Sequence, residues 1–245
     1  MIKYDLDLKV FYSTLINDGK YFSGFGTKSL GDARTFDTIV NFAQSNIPNF
    51  KTIVIPEQIH SVNVTNFSAN LIDNVERVPE TDGIFTKDTN SLLTVITADC
   101  SPIIFVDKKA GIVGISHQGW RGSVKRLAQK MVKKIVEAGG KKENILASIG
   151  PSIGPCCYDI DDERYYDFRE EFDGFAGKIF HRYQGKLHLN LALLNYLQLK
   201  EVGLLTKNID HFPFCTRCDK KRFFSFRRDK KNEYGEMLSF VIKNN

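Results

Sequence analysis

The chain carries only five histidines and five cysteines, so each can be weighed by its setting. His60 sits in Gln58-Ile59-His60-Ser61-Val62, within a run that reads as a strand. Cys100 sits in Thr97-Ala98-Asp99-Cys100-Ser101-Pro102, between two apolar runs. His117 closes a further apolar run, in Ser116-His117-Gln118-Gly119-Trp120-Arg121, just ahead of a helical pattern. Strand ends on a rigid scaffold are where functional groups are presented. Two imidazoles and one thiolate make a three-donor set for zinc that leaves a fourth position open to water or substrate, as catalytic zinc sites do. The intervals of forty and seventeen residues are unlike the short ligand pairs of zinc fingers, so spacing alone does not separate ligands from structural histidines. The same residues also fit a cysteine hydrolase or amidase, with Cys100 as nucleophile and His117 or His60 as base; editing of peptidoglycan precursors would be one such role.

The elements that must hold these residues follow from periodicity. Strand-like runs cover 51–55, 59–67, 92–97, 103–106 and 112–116, with a hairpin loop at 107–111 where Gly111 can take a positive φ. From Ser123, apolar residues recur at Val124, Leu127, Ala128, Met131, Val132, Ile135 and Val136, a helical stripe that Gly139-Gly140 ends. A strand at 145–149 and helices at 37–45 and 190–202 follow the same logic, and strands return at 222–226 and 237–242. Strands interleaved with a few helices indicate an α+β chain. No repeat or Pro/Ser-rich linker divides residues 1–245, which are expected to form one domain.

Composition narrows the classes. Hydrophobic residues at 42% and charged residues at 26% are those of a soluble globular chain, and the net charge of +5 suits anionic small molecules but is too small to signal nucleic-acid binding. The first ten residues alternate charged and apolar side chains, unlike a secretory signal, and no run approaches a membrane span. An odd cysteine count with Cys156 and Cys157 adjacent argues against a disulfide framework, so a reducing cytoplasm is expected. The run 220–228 interleaves basic and aromatic residues, but a strand with one wet face accounts for it more simply than RNA binding. Cys215-Thr216-Arg217-Cys218 is a lone Cys-x-x-Cys, whereas zinc ribbons need two such pairs. His181, His188 and His211 show no partner pattern and are expected to be structural or exposed, and Trp120 to pack.

Five segments taken together resemble one family. They are Gln58-Ile59-His60, Thr97-Ala98-Asp99-Cys100-Ser101-Pro102, His117-Gln118-Gly119-Trp120-Arg121-Gly122, Gly150-Pro151-Ser152-Ile153-Gly154-Pro155 and Arg222-Phe223-Phe224-Ser225-Phe226-Arg227-Arg228-Asp229. The chain is similar to the laccase-domain, polyphenol oxidase-like or YfiH-like family, whose members are described as purine nucleoside phosphorylases. The resemblance implies a four-layer α/β/β/α sandwich with mixed sheets and a zinc ion held by His60, Cys100 and His117. It also implies phosphorolysis of adenosine, inosine, guanosine or methylthioadenosine, with adenosine deamination at the same site. Purine nucleosides and phosphate would then be the partners, with Arg228 in the pocket. Multicopper oxidation is rejected, because it needs several coppers held mostly by imidazoles, and this chain has five histidines and no His-x-His pair.

Arg121 stands just before the helix expected to open near Ser123, where free N–H groups and the helix dipole would favour an anion such as phosphate. Asp82, in Thr81-Asp82-Gly83, is a candidate pocket acid, although Asp-Gly is first a turn signal. Where the family often has His-Ala-Gly-Trp, this chain has Gln118. Thr27-Lys28 stands where Thr-Arg is common, and Gly235-Glu236-Met237 where Gly-Arg-Met is usual. The last two departures each remove an arginine that could bind an anion.

Overall fold

The computed structural model describes residues 1–69, 74–229 and 234–245. Short strands rich in β-branched and aromatic residues alternate with a few helices, as the periodicity requires. In chain order these are β1 (Ile2–Asp5), β2 (Val10–Ser13), β3 (Tyr21–Gly26), α1 (Phe36–Asn46), β4 (Thr52–Pro56), β5 (Val64–Asn66), β6 (Val75–Val78), β7 (Gly83–Thr86), β8 (Ser91–Thr97), β9 (Ser101–Asp107) and β10 (Ile112–Gln118). There follow α2 (Trp120–Val124), α3 (Leu127–Glu137), β11 (Ile145–Ile149), α4 (Asp162–Glu171), α5 (Asp173–Ile179), β12 (Phe180–Tyr183), β13 (Lys186–Leu189), α6 (Leu191–Glu201), β14 (Ile209–His211) and β15 (Met237–Lys243).

The described strands form a seven-stranded sheet, ordered β1-β2-β3-β15-β8-β4-β6, a six-stranded sheet, ordered β14-β11-β9-β10-β7-β5, and the hairpin β12-β13. Both large sheets are mixed: β4 pairs in parallel with β6 and β8, β5 with β7 and β11 with β14, while the remaining pairs are antiparallel. The two sheets bury their facing surfaces against each other, with Phe25, Leu93, Val95 and Val241 of one meeting Ile84, Ile104, Val106 and Ile115 of the other. On the outer face of the seven-stranded sheet, α1 packs Ile39, Phe42 and Ala43 against Ile53, Leu92 and Phe240. On the outer face of the six-stranded sheet, α3 and α6 pack Leu127, Met131, Ile135 and Leu199 against Phe105, Ile112 and Ala147. The layer order is therefore helix, sheet, sheet, helix, and the expected α/β/β/α sandwich with mixed sheets is what these cores build. No helix of the described residues is long and apolar enough to cross a membrane.

Three expected elements differ. The run 59–67 is a strand only at β5, because the backbone N–H groups of Ile59, His60 and Ser61 turn away from the sheet to the buried Asp82 carboxylate. The run 222–226 is not a strand. Its backbone folds around another buried carboxylate, Asp99, which accepts from Ser225 Oγ at 3.0 Å and from the Arg227 N–H at 2.7 Å. The helix expected from Ser123 begins earlier, at Trp120, and breaks at Arg126, whose φ of 61° is left-handed. Its apolar stripe is carried by α3, and Gly139, at φ 97°, terminates it as the sequence suggests.

Candidate metal centre and its cavity

The loop after β4 is fixed at its first polar residue. Gln58 donates from Nε2 to the Ile96 carbonyl and accepts from the Ile96 N–H, both at 2.9 Å, so a side-chain amide pairs with the edge of β8 beyond the end of β4. The chain then reverses at His60, whose φ of 59° is left-handed. Asp82, fully buried just ahead of β7, holds this turn. It accepts from the N–H groups of Ile59, His60 and Ser61 and from Ser61 Oγ at 2.6–3.2 Å, and it meets His117 Nδ1 at 2.8 Å. Burial works to raise the Asp82 carboxyl, but the hydrogen bonds from His117 and Ser61 outweigh it and hold Asp82 below the usual carboxylate range.

His117 lies at the end of β10, in register with Pro102 on β9, and its N–H donates to the Asp82 carbonyl at 2.8 Å. With Nδ1 engaged by Asp82, Nε2 is the nitrogen left for a ligand, the arrangement in which a carboxylate orients a metal-binding imidazole. Cys100 follows Asp99, which holds φ at 81° because its carboxylate is pinned by Ser225, Arg227 and Thr216 Oγ, the last at 2.6 Å. One donor atom each from His60, Cys100 and His117 fall within 4.8 Å of one another. The two imidazole rings meet edge to face with centroids 4.7 Å apart.

Burial pushes the Cys100 thiol up, but the two imidazoles outweigh this and bring it down to about 7. Burial likewise opposes protonation of His117, yet Cys100 and Asp82 raise it to about 10. The backbone also leaves room beside the donors. A Cβ on Gly119 would lie 2.8 Å from His60 Cδ2 and 3.3 Å from Cys100 Sγ, so any other residue there would press into the cluster. Soft and borderline donors converging around a space that a methyl group would fill suit a zinc-sized ion.

All three donors line a cavity of about 580 Å³, within the size range of small-molecule sites. Arg121 and Arg164 stack on the Trp120 ring, their guanidinium carbons 4.6 and 4.5 Å from its centroid, and all three residues line the cavity. Arg121 has no hydrogen-bond partner among the described residues, and Arg164 Nε is buried without one. Trp120 thus packs, as expected, and also forms cavity wall. The helix opens at Trp120 rather than near Ser123, so Arg121 lies within α2, a helix of five residues. The Ser123 N–H closes its first turn on the Gly119 carbonyl, and the Ser123 hydroxyl donates to Asn195.

Arg228 is not among the cavity-lining residues. Its guanidinium is spent on Asp229 and on the carbonyls of Thr216, Arg217 and Phe223, which anchor the 222–229 loop. Its neighbour Arg227 lines the cavity and is paired with Asp159 at 3.0 Å. Asp82 sits behind the histidines rather than in the cavity. Arg164 and Glu236 were not singled out as site residues by sequence. Glu236 is half-buried, lines the cavity, and its carboxylate makes no hydrogen bond among the described residues. Burial raises the Glu236 carboxyl above its usual range, although His117, Arg34 and His60 are near enough to pull it back in part.

Because Asp82 serves both histidine segments, Asp82→Asn should weaken metal binding about 10–100-fold, as loss of a carboxylate behind a ligating histidine does. Chelator competition against the wild type measures this, and an unchanged affinity would return Asp82 to a purely structural turn.

A cavity lined by His60, Cys100 and His117, whose donor atoms converge closely enough to hold a metal ion, is the candidate site of this fold. Residues 38–244 match the family described as "Multi-copper polyphenol oxidoreductase laccase", and the chain belongs to that family of enzymes. Among its relatives, "Adenosine deaminase RL5" from an unknown prokaryotic organism is 34% identical over 201 residues, covering 80% of this chain and 77% of that protein. "Purine nucleoside phosphorylase YlmD" of Geobacillus stearothermophilus is 34% identical over 197 residues, covering 76% of this chain and 70% of that protein. The crystal structure of YlmD from Geobacillus stearothermophilus superposes with a TM-score of 0.86 at 27% identity, covering 100% of this chain and 99% of that one.

Proposed function

We propose that this chain is a zinc-dependent enzyme of purine nucleosides, cleaving adenosine, inosine, guanosine or methylthioadenosine with phosphate and deaminating adenosine at the same site. The convergence of His60, Cys100 and His117 on a nucleoside-sized cavity carries the reading, and the names of two relatives support it. When bound, zinc supplies Lewis acidity at the cavity wall. Asp82 engages His117 Nδ1, so Nε2 would be the nitrogen that holds the ion. Arg121, over the Trp120 ring and without a hydrogen-bond partner among the described residues, offers N–H groups to phosphate. So does the unpartnered Nε of Arg164, a residue that also pairs with Asp161 at 3.5 Å. The apolar wall, which includes Ile96 and Phe226, receives the purine. Glu236 takes and returns protons at the purine.

The thiol near 7 beside a protonated imidazole also favours the cysteine-hydrolase reading, since that pair is how cysteine nucleophiles are activated. Against it, a nucleophile needs one base, whereas two histidines and an open backbone at Gly119 surround this sulfur.

The test is a nucleoside panel assayed with and without phosphate, with Arg121→Ala beside wild type. Loss of a charge-assisted contact worth about 1.5–3 kcal/mol should raise the KM for phosphate by about one to two decades while adenosine deamination persists. Equal loss of both reactions would place Arg121 on the nucleoside instead. No effect on either would leave Arg164 as the anion residue.

A further inference from the structure

The turn at 154–158 and the Cys-x-x-Cys turn at 215–218 lie far apart in sequence and side by side in the fold. Ser152 and Cys215 form a parallel bridge, and the Thr216 N–H donates to the Ser152 carbonyl at 3.0 Å. The Cys157 and Tyr158 N–H groups both bond the Gly154 carbonyl, which turns Cys156 and Cys157 toward Cys218. The result is a cluster of four sulfurs, from Cys156, Cys157, Cys215 and Cys218, all within 4.8 Å of one another. Cys218 Sγ is 3.5 Å from Cys156 Sγ and 3.3 Å from Cys157 Sγ, and all four thiols are free. The Gly154 N–H donates to Cys215 Sγ at 3.1 Å, and a Cβ on Gly154 would come within 3.4 Å of both the Cys215 and Cys156 sulfurs. A backbone N–H on a cysteine sulfur and a glycine that leaves space among the thiols are what an anionic, metal-loaded cluster requires.

We infer that Cys156, Cys157, Cys215 and Cys218 hold a second zinc ion in a closed, four-sulfur structural site that clamps the wall of the catalytic cavity. Four thiolates around one ion are the donor set of structural zinc and leave no position for substrate. Each ligating thiol gives its proton to solvent, and no electron is transferred. The clamp reaches the cavity by a short path. Thr216, between the last two cysteines, bonds Asp99 beside Cys100, and Tyr158, next to Cys157, lines the cavity. Arg228 ties the carbonyls of Thr216 and Arg217 to the loop that carries Phe226 and Arg227. A disulfide would join Cys218 to only one of its two neighbouring sulfurs, at 3.3 and 3.5 Å, and would leave two thiols over.

The experiment uses the full chain purified with reductant and without chelator. Elemental analysis should find two zinc ions per chain, falling to one in Cys156→Ser/Cys218→Ser, whose mutated thiols are exposed and outside the core. His60→Ala should also fall to one. Cobalt(II) bound to that variant should show the intense thiolate-to-metal absorption of a four-sulfur site. Should the double cysteine variant fail to fold, alkylation of the wild type decides: Cys156 and Cys218 should resist the reagent until a chelator is added. One zinc in the wild type that survives the double substitution would overturn the inference. So would rapid alkylation of Cys156 and Cys218 in the zinc-loaded chain, or an intact mass showing lost hydrogens and hence disulfides.

Discussion

Replacing Cys100 with serine should remove one equivalent of metal per chain and abolish turnover of nucleosides together. The thiolate is the charged member of the donor set, and its ionisation near neutral pH is prepared by His117 and His60. A serine hydroxyl in the same place stays protonated and offers zinc a weak neutral oxygen. The fold should survive, because Cys100 is half-buried and its hydroxyl analogue fits the space. Metal content and phosphorolysis, measured on one preparation beside wild type, make the comparison. A metal-free wild type that is active, rapidly alkylated at Cys100 and silenced by the alkylation would overturn the zinc reading in favour of a cysteine hydrolase.

How much of this was legible beforehand depends on what each residue packs against. Segments with one strong period lay where expected: β11 at 145–149, α1, α6 and the stripe of α3 were read within a few residues. The opening strands were missed because Ile2–Asp5 and Val10–Ser13 are only four residues each. Helix α4 shows no apolar stripe, because seven of its ten residues are charged and Phe168 is its one buried residue. The two runs wrongly read as strands share a physical cause. Each contains enough apolar residues to extend, but aspartates capture its polar groups. Asp82 takes the N–H groups of Ile59, His60 and Ser61, while Asp219 and Asp229 take those of Arg222 and Ser225 and Asp99 takes the Ser225 hydroxyl. A carboxylate with several unpaired N–H groups within reach outweighs β-propensity, which spans only about 1 kcal/mol. The candidate trio of His60, Cys100 and His117 stood out by residue type at the ends of apolar runs, and the family resemblance rather than spacing joined it into one donor set. Its support did not stand out, since nothing in Thr81-Asp82-Gly83 shows that one carboxylate orients two histidine segments. The motif carries Arg227 and Arg228 side by side, and only the turn at 225–229 decides which of the two lines the cavity. The Cys-x-x-Cys pair looked solitary because its partners lie some sixty residues upstream.

Glu236→Gln should cut adenosine deamination by about 10²–10⁴-fold, the usual scale of a general acid–base contribution, with metal content unchanged. Deamination adds water at C6 of the purine and expels ammonia. One proton must therefore leave the water and another must reach the departing amine. Glu236 is the cavity carboxylate free of hydrogen bonds among the described residues, and zinc deaminases in general place a non-ligand glutamate in this role. Glutamine keeps the shape and the hydrogen-bonding capacity but cannot carry a proton. Phosphorolysis, which leaves C6 untouched, should fall far less, so the ratio of the two activities on one preparation is the readout. The pH profile gives a second. Water activation needs the ionised carboxylate, so wild-type kcat/KM for deamination should drop as pH falls through the Glu236 pKa, which burial places above the usual glutamate range. That acid limb should be missing from the residual activity of the glutamine variant. Equal loss of both reactions with a raised nucleoside KM would show that Glu236 binds the purine instead. An unchanged ratio and an unchanged acid limb would remove it from the chemistry, and the carboxylate at the usual arginine position would then only weaken the cavity's hold on anions.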